Sequence, residues 1–287
     1  MNSVDQMLAE MWEQAPYLRL DERLTVDILT STLREEVRKA GFSKVILGLS
    51  GGIDSALSLY LCVRAFGPEH VIAVRMPYRT SSPSSLEDAQ TAIDDTGVQS
   101  ITIDITPQID AYFQNFPDAT PLRRGNKMAR ERMTILYDLS AKHDALVIGT
   151  SNRTEILLGY GTQYGDSASA INPIGDLYKT QVRQLSAWIG VPESIILKPP
   201  SADLWEDQTD EGELGFTYLD VDRLLHFMVD QQYTLEELRA ENFDDDFIHA
   251  VSRRIIRNQY KRRMPIILKL GNRTVGVDFR YLRDWGL

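Results

Sequence analysis

The chain reads as an α/β fold, an open parallel sheet with helices on both faces, followed by a set of C-terminal helices. Three observations predict it. Short, β-rich and largely apolar segments alternate with helical patterns across residues 44–149. Continuous rather than alternating hydrophobicity marks strands covered on both faces, the condition of a parallel sheet joined by crossover helices. After Arg153 the strand signal fades and helical periodicity takes over.

In order, the pattern predicts an N-terminal helix at Arg23–Ala40, packed on the sheet, and a first strand at Lys44–Leu49. A helix over Asp54–Phe66 follows, with Leu57, Leu61, Cys62 and Ala65 spaced along one face. Strands at His70–Met76, Ser100–Ile105 and Ala145–Gly149 are separated by helices at Ser84–Asp95 and Asn126–His143. Val182, Leu185 and Ile189 share one face of a helix over Thr180–Gly190. Further helices are expected at Leu219–Val229, Thr234–Glu241 and Phe247–Arg263. Two polar stretches, Arg79–Ser85 and Ser201–Phe216, read as mobile loops suited to close over a substrate. There is no internal repeat, and residues 1–287 are expected to form one unit.

Composition narrows the function. The chain is 43% hydrophobic and 25% charged, as a soluble globular protein is, and no apolar run approaches the roughly 20 residues of a membrane span. Met1–Glu13 lacks the basic-then-apolar layout of a signal peptide. One cysteine, Cys62, forbids an internal disulfide and points to a reducing cytoplasm; its helical spacing marks it as buried. The net charge of −10 argues against nucleic acid, whose phosphates demand a basic surface. Arg253, Arg254, Arg257, Lys261, Arg262 and Arg263 form a local exception, read as the solvated face of a helix. His70, His143, His226 and His249 show no metal-ligand spacing.

The chemistry concentrates where the first strand ends, in Val45-Ile46-Leu47-Gly48-Leu49-Ser50-Gly51-Gly52-Ile53-Asp54-Ser55. A strand, a glycine turn and a helix N-terminus in succession make an anion site, because unpaired first-turn N–H groups and the positive end of the helix dipole face whatever lies over the turn. Gly51 and Gly52 allow close backbone approach and positive φ. Ser50 and Ser55 supply hydroxyls, and Asp54 is a carboxylate suited to Mg²⁺. The turn is not a Walker loop, since no lysine follows the glycines. Ligands of open parallel sheets bind at the carboxyl ends of the strands, so this turn, the Met76–Ser85 loop and the Gly149–Arg153 turn are expected to converge on one cleft.

Ser50-Gly51-Gly52-Ile53-Asp54-Ser55 resembles the PP-loop of the ATP pyrophosphatases, whose fold is that of the adenine nucleotide alpha hydrolases. Further segments sharpen the resemblance: Met76–Ser82, Asn126–Met133, Gly149–Glu155, Asn172–Val182, Lys198–Leu204, Gln208–Glu211 and Asn258–Arg262. Together and in this order they resemble NAD⁺ synthetase, from about residue 20 onward. That resemblance implies an ATP-dependent, Mg²⁺-dependent ligase. The carboxylate of deamido-NAD attacks the α-phosphorus of ATP, pyrophosphate leaves, and ammonia displaces AMP from the acyl-adenylate. It implies an ATP site at Leu49, Ser50, Gly51, Gly52, Ile53, Asp54, Ser55, Arg79, Thr150, Lys179 and Ser201. Asp54 and Glu155 correspond to the family's metal carboxylates, Lys179 and Lys198 to its phosphate-contacting lysines, and Asp54, Lys179 and Lys198 together to the catalytic set. Asn126, Arg130, Glu155, Asp166, Ala170 and Lys198 fall at positions for the acyl substrate, Ser201 and Asp203 in the lid motif; Arg132 and Asp210 are weaker candidates. Glutamine-dependent relatives carry a large nitrilase-like domain with a nucleophilic cysteine. No segment here corresponds to it, so free ammonia, or ammonia delivered by a separate subunit, is the expected nitrogen donor. A homodimer is implied as well.

One segment departs from the family pattern. Gly161, Gln163 and Ala170 stand where the family has Phe, Lys and Asp, beside the nicotinate ring and its reacting carboxyl group. The ATP half of the site is complete and the acyl half is not. The departure leaves open an ordinary NAD⁺ synthetase with compensation elsewhere, an amidoligase for another small carboxylate such as a sugar acid or natural-product acid, or a nucleotide-binding module that amidates nothing. The intact Asp54, Glu155, Lys179 and Lys198 argue against the last.

Overall fold

In the computed structural model, residues 3–201, 210–263 and 265–274 are described. The helices are α1 (Ser3–Gln14), α2 (Glu22–Lys39), α3 (Ile53–Phe66), α4 (Pro83–Thr96), α5 (Thr106–Phe113), α6 (Pro121–His143), α7 (Arg153–Leu158), α8 (Lys179–Ile189), α9 (Glu193–Leu197), α10 (Asp210–Leu214), α11 (Tyr218–Leu225), α12 (Leu235–Ala240) and α13 (Asp245–Arg257). The strands are β1 (Lys44–Gly48), β2 (Val71–Arg75), β3 (Gln99–Thr102) and β4 (Ala145–Val147).

All pairings are parallel, in the order β3-β2-β1-β4, with Ile46 opposite Ile72 on one side and Val147 on the other. The chain builds outward from β1 through α3 and α4, then returns through α5 and α6 to lay β4 on the far side of β1. That reversal parts the loops leaving β1 and β4 and opens the crevice where such sheets bind ligands. Alternate β1 side chains divide between the two faces. Val45 and Leu47 pack under α2, α3, α4 and α8, whereas Ile46 packs with Ile72, Val74 and Val147 under α5 and α6. Helix α3 is buried almost all round, so Cys62 is fully enclosed and burial pushes its thiol up, which makes it an inert core thiol.

The four expected strands and the expected helices are present, with their ends displaced. The helix expected from Asn126 starts at Pro121, because the Thr120 hydroxyl caps the Arg123 N–H at 3.3 Å and Pro121 occupies the first turn. The helix expected to reach Arg263 stops at Arg257, because Asn258 turns its amide onto Leu158 O, 3.0 Å away on α7, and Arg262 donates to Ile255 O at 2.7 Å. Helices α1, α5, α7, α9 and α10 come in addition. All but α1 span eight residues or fewer, and they take their order from packing rather than propensity. The expected 79–85 loop ends at Pro83, where α4 begins. Residues 202–209 of the expected 201–216 loop, Asp203 among them, lie outside the described residues, and the loop's later part forms α10.

Leu158, Tyr178, Tyr218, Val221, Leu224 and Val251 belong to a further apolar cluster, built between α7, α8 and the C-terminal helices. It brings α11 and α13 against the sheet edge that carries the crevice. Among the described residues no helix is long and apolar enough to cross a membrane.

Candidate active site

The Ser50–Gly52 turn closes tightly on itself. Ser55 Oγ accepts from Ser50 N at 3.2 Å and donates to Gly52 O at 3.0 Å, while Ser50 Oγ accepts from Gly52 N at 3.2 Å. Gly51 has φ +81°, and a Cβ there would lie 2.0 Å from the Ser85 carbonyl oxygen. Only glycine lets the turn pass under the start of α4.

Three helix N-termini converge beside this turn. Asp54 lies in the first turn of α3, Glu155 in the first turn of α7, and Lys179 begins α8. The Lys179 ammonium donates to Asp54 Oδ2, stands 3.6 Å from Glu155 Oε1 and lies 5.0 Å from the Tyr218 ring centroid. Asn152 fastens the group together. Its Nδ2 donates to Asp54 Oδ1 at 2.8 Å, and its Oδ1 caps the Glu155 N–H at 3.0 Å while Glu155 reaches back to Asn152 N. The Asn152-x-x-Glu155 spacing is a capping box legible in the sequence, although nothing local announced that its amide would also hold Asp54.

Charge is unevenly matched here. Burial drives the Glu155 carboxyl well above the usual carboxylate range and Asp54 adds to it, with Lys179 opposing. Burial likewise raises Asp210, which accepts from Tyr160 Oη at 3.0 Å and Tyr218 Oη at 3.1 Å. For Lys179, burial disfavours the charged form, but Asp54, Glu155 and Asp210 outweigh it and hold the ammonium above the ordinary lysine range. Three carboxyl groups share one buried ammonium, a setting that suits a divalent cation, whose charge would favour their ionised forms. Among the described residues no cluster of three or more His, Cys, Asp or Glu side chains forms a metal cage. The donor set therefore fits Mg²⁺ held by one or two carboxylates with phosphate oxygens and water completing the shell.

Behind Lys179 stands Asp222, fully buried on α11. It accepts from Thr154 Oγ1 at 2.5 Å and from Thr180 N at 2.8 Å, and Thr154 Oγ1 accepts from Lys179 N at 3.1 Å. A carboxylate from a separate helix thus caps α8 and ties it to α7. Sequence reasoning missed Asp222 because its partners lie 68 and 42 residues away. Burial, opposed by its hydrogen bonds, raises its carboxyl to about 6. The native form therefore holds this proton more tightly than the unfolded chain, so ionising Asp222 costs stability as pH rises from about 4 to about 6. Replacing Asp222 with Ala should remove that pH-dependent component and also strand the Thr180 N–H and the Thr154 hydroxyl. A net loss of about 2–3 kcal/mol at pH 7 is expected, measured by urea unfolding at several pH values.

The crevice forms a cavity of 1520 Å³, beyond the roughly 300–1,000 Å³ of a pocket for one small ligand. Leu49, Ser50, Gly52, Ile53, Asp54 and Ser55 line one wall, as do Arg79, Thr150, Lys179, Lys198 and Ser201. Lys198 Nζ donates to Asp88 Oδ2 at 2.9 Å and to Ser85 Oγ at 3.0 Å, which holds it at the start of α4 next to Gly51. Arg79 pairs with Asp110 at 2.9 Å on the rim.

Asn126, Arg130, Glu155 and Asp166 line the same cavity. Asn126 Oδ1 accepts from Thr162 Oγ1 at 2.7 Å, Arg130 Nε donates to Gln163 O at 3.2 Å, and Asp166 Oδ1 accepts from Thr162 N at 2.9 Å. Ala170 is exposed and does not line the cavity; its N–H is engaged by Val147 O at 3.0 Å. A Cβ on Gly161 would meet Ser167 Oγ at 2.7 Å and Asp166 Oδ2 at 3.0 Å. The polar turn of Asp166 and Ser167 fills the space at the root of a side chain there, so Gly161 and Ser167 are sterically matched. Arg132 and Asp210 also face the cavity.

The profile of the NAD synthase family matches residues 25–265. The NH(3)-dependent NAD(+) synthetase of Trichlorobacter lovleyi is 55% identical over 94% of this chain and 98% of its own length. Among solved structures, the NH3-dependent NAD synthetase of Campylobacter jejuni superposes with a TM-score of 0.75 at 35% identity, over 88% of this chain and all of that one. The NMN synthetase of Francisella tularensis gives 0.79 at 29% identity with the same coverage. A glycine turn under α4, three charged helix N-termini and an ordered match across the whole sheet lead to one conclusion: the chain belongs to the NAD synthase family.

Proposed function

We infer that this chain is an ammonia-dependent NAD⁺ synthetase, a C–N ligase that amidates deamido-NAD at the expense of ATP. The observation that carries the reading is the meeting of Asp54, Glu155 and Lys179 beside the Ser50–Gly52 turn, in a chain more than half identical to enzymes of that name. A carboxylate resists ammonia because its leaving group would be oxide. Transfer to the α-phosphorus of ATP breaks the bond to pyrophosphate and gives the acyl carbon a good leaving group. Ammonia then attacks that carbon, loses a proton and displaces AMP.

In this reading the Ser50, Gly52 and Ser55 donors cradle the departing pyrophosphate, and Lys179 balances charge as the bond to it breaks. Asp54 and Glu155 hold Mg²⁺, which supplies charge neutralisation on the phosphate oxygens. Lys198 reaches the phosphates from the start of α4, and Ser201 belongs to the loop that keeps water from the adenylate. Arg79 and Thr150 belong to the adenosine side. Asn126, Arg130 and Asp166 bind and orient the acyl substrate; Ala170, outside the cavity, is left without a contact role. We place the enzyme in a reducing cytoplasm, consistent with its single, fully buried cysteine, and expect residues 1–287 to act as one unit.

The test is AMP formation with ATP, Mg²⁺ and ammonium, with and without deamido-NAD, with nicotinate mononucleotide and a panel of sugar acids in parallel. AMP and NAD⁺ in stoichiometric amounts with deamido-NAD are expected. Background AMP with deamido-NAD, but turnover of another acid, would overturn the substrate assignment. Glutamine in place of ammonium should give no turnover by the pure protein. A homodimer is expected too, supported by Leu122 and Tyr137, 61% and 44% exposed on α6. Light scattering on a gel-filtration column reads this directly, and a monomer at micromolar concentration would refute it.

A further inference from the structure

Helix α11 sends no side chain into the cavity, yet two of its residues hold Lys179 from behind. Tyr218 and Asp222 stand one turn apart on the same face. Tyr218, 1% exposed, lays its ring 5.0 Å from the Lys179 ammonium and donates its hydroxyl to Asp210 Oδ2 at 3.1 Å. Asp222 acts at the other end of the lysine, on its backbone. The first N–H groups of a helix lack partners within it, and the residue before the helix ordinarily caps them. Before α8 that residue is Tyr178, whose hydroxyl goes to Asp230 Oδ2 at 3.0 Å instead. Thr154 Oγ1 takes the Lys179 N–H at 3.1 Å and Asp222 Oδ2 takes the Thr180 N–H at 2.8 Å. Thr154 gives its one hydroxyl hydrogen to Asp222 Oδ1 at 2.5 Å. The chain therefore has a fixed direction, from Lys179 N–H to Thr154 and from Thr154 O–H to Asp222.

Thr154 immediately precedes Glu155 on α7. One buried hydroxyl thus sets the start of α8 against the carboxylate that the Lys179 ammonium faces 3.6 Å away. Thr154 and Asp222 are fully buried, and among the described residues Asp222 forms no ion pair. A buried carboxyl without a cation is a costly way to cap a helix, and apolar packing would join α11 to α7 and α8 at less cost. What the carboxyl adds is direction: it accepts from two elements at once and leaves α8 one register on α7. We propose that Asp222, acting through Thr154, is a positioning residue that holds the Lys179 ammonium between Asp54 and Glu155. It touches no substrate. The role rests on the reading that Lys179 balances charge as ATP is cleaved. A displaced ammonium still neutralises bound ATP but meets the developing charge less well, so kcat should fall while KM for ATP is spared.

The test compares T154V, T154S and D222N in the full chain, assayed for AMP with saturating deamido-NAD and ammonium at a temperature where urea unfolding shows each variant folded. Valine keeps the shape of threonine and deletes the hydroxyl, whereas serine keeps the hydroxyl. Asparagine at 222 cannot serve both partners, because its amide nitrogen presents hydrogens where Thr154 or Thr180 also presents one. T154V and D222N should lose about 10- to 100-fold in kcat, with KM for ATP within about threefold of wild type, and T154S should recover most of the loss. The T154V/D222N double variant should be within about twofold of the slower single variant, since both break one chain. T30V removes another buried hydroxyl, bonded to Val26 O at 2.8 Å on α2, and should leave kcat unchanged. Acetic anhydride labelling followed by peptide mass spectrometry reads Lys179 without turnover, and its modification should rise at least about fivefold in T154V. Near-normal kcat in both T154V and D222N, or a T154S enzyme as slow as T154V, would overturn the role. If the wild type forms no AMP with deamido-NAD, the substrate reading fails; Lys179 labelling that rises in T154V then upholds the positioning, and unchanged labelling overturns it.

Discussion

Replacing Lys179 with Met should reduce kcat/KM for ATP by about 10³-fold, with protein that still folds. The ammonium is 2% exposed and touches both candidate metal carboxylates. Its loss removes a fixed cation at the site where phosphoryl charge develops, and losing one such group commonly costs about 10²–10³ in rate. The loss also leaves Asp54, Glu155 and Asp210 facing one another. Breaking a buried pair from one side costs about 3–5 kcal/mol when the remaining charge cannot neutralise. Here it can, because burial and Asp54 already hold Glu155 above the usual range, and losing Lys179 pushes it higher. An acid raised in the native state binds its proton more tightly than the unfolded chain does, so stability grows as pH falls. The deficit of K179M relative to wild type should therefore be largest near pH 8 and shrink toward pH 6, read by denaturant unfolding at each pH. Lys179→Arg should not rescue turnover. A planar guanidinium does not fit the space of an ammonium set against Tyr218 and Asp54. A K179M enzyme with near-normal kcat/KM would remove Lys179 from the chemistry.

Gly51→Ala should abolish ATP turnover, by more than about 100-fold, and destabilise the fold by about 2–4 kcal/mol. Two penalties combine. The residue sits at φ +81°, and its new methyl carbon would meet a backbone carbonyl at 2.0 Å, which cannot rotate away as a side-chain tip can. The turn must then open or α4 must move, and either displaces the donors of Ser50, Gly52 and Ser55 together with Lys198, which rests on Ser85. Gly97→Ala is the control. It also has positive φ, +68°, but meets nothing within 4 Å, so it should cost only about 1 kcal/mol and leave kcat unchanged. Equal effects from the two substitutions would show that the close approach to Ser85 is irrelevant.

The contrast between these two glycines marks how far the sequence could be read. Ser-Gly-Gly after an apolar strand identifies an anion turn because strand, turn and helix N-terminus are neighbours along the chain. Asn152-x-x-Glu155 is legible for the same reason: a capping box closes within one helical turn. The expected strands all form, β1, β2 and β4 as short buried apolar runs and β3 as a largely exposed edge strand. Helices α5, α9 and α10 were not expected from the sequence, since five to eight residues show little periodicity, and α7 is marked only by the capping box that opens it. The ends of α6 and α13 shifted because a threonine cap and a long-range asparagine bond set them. The basic face of α13 shows a related limit: Arg253 and Arg257 are exposed, as a solvated face requires, and the face also borders the cavity. Helical spacing shows that residues share a face, but not what that face looks toward.

By itself, the sequence determined the parallel α/β class, the glycine turn after β1 as a candidate anion site, Asp54, Glu155 and Lys179 as candidates that meet beside it, and the family, because each is written in contiguous residues or in an ordered series of motifs. Only the tertiary structure decided that Asn152 clamps Asp54 to Glu155, that Asp222 anchors Lys179 from α11, and that Ala170 stands outside the cavity. It also decided that the basic face of α13 borders the cavity. These are contacts between residues as far as 98 positions apart, and their geometry depends on how three apolar clusters pack against one sheet rather than on any local preference of the chain.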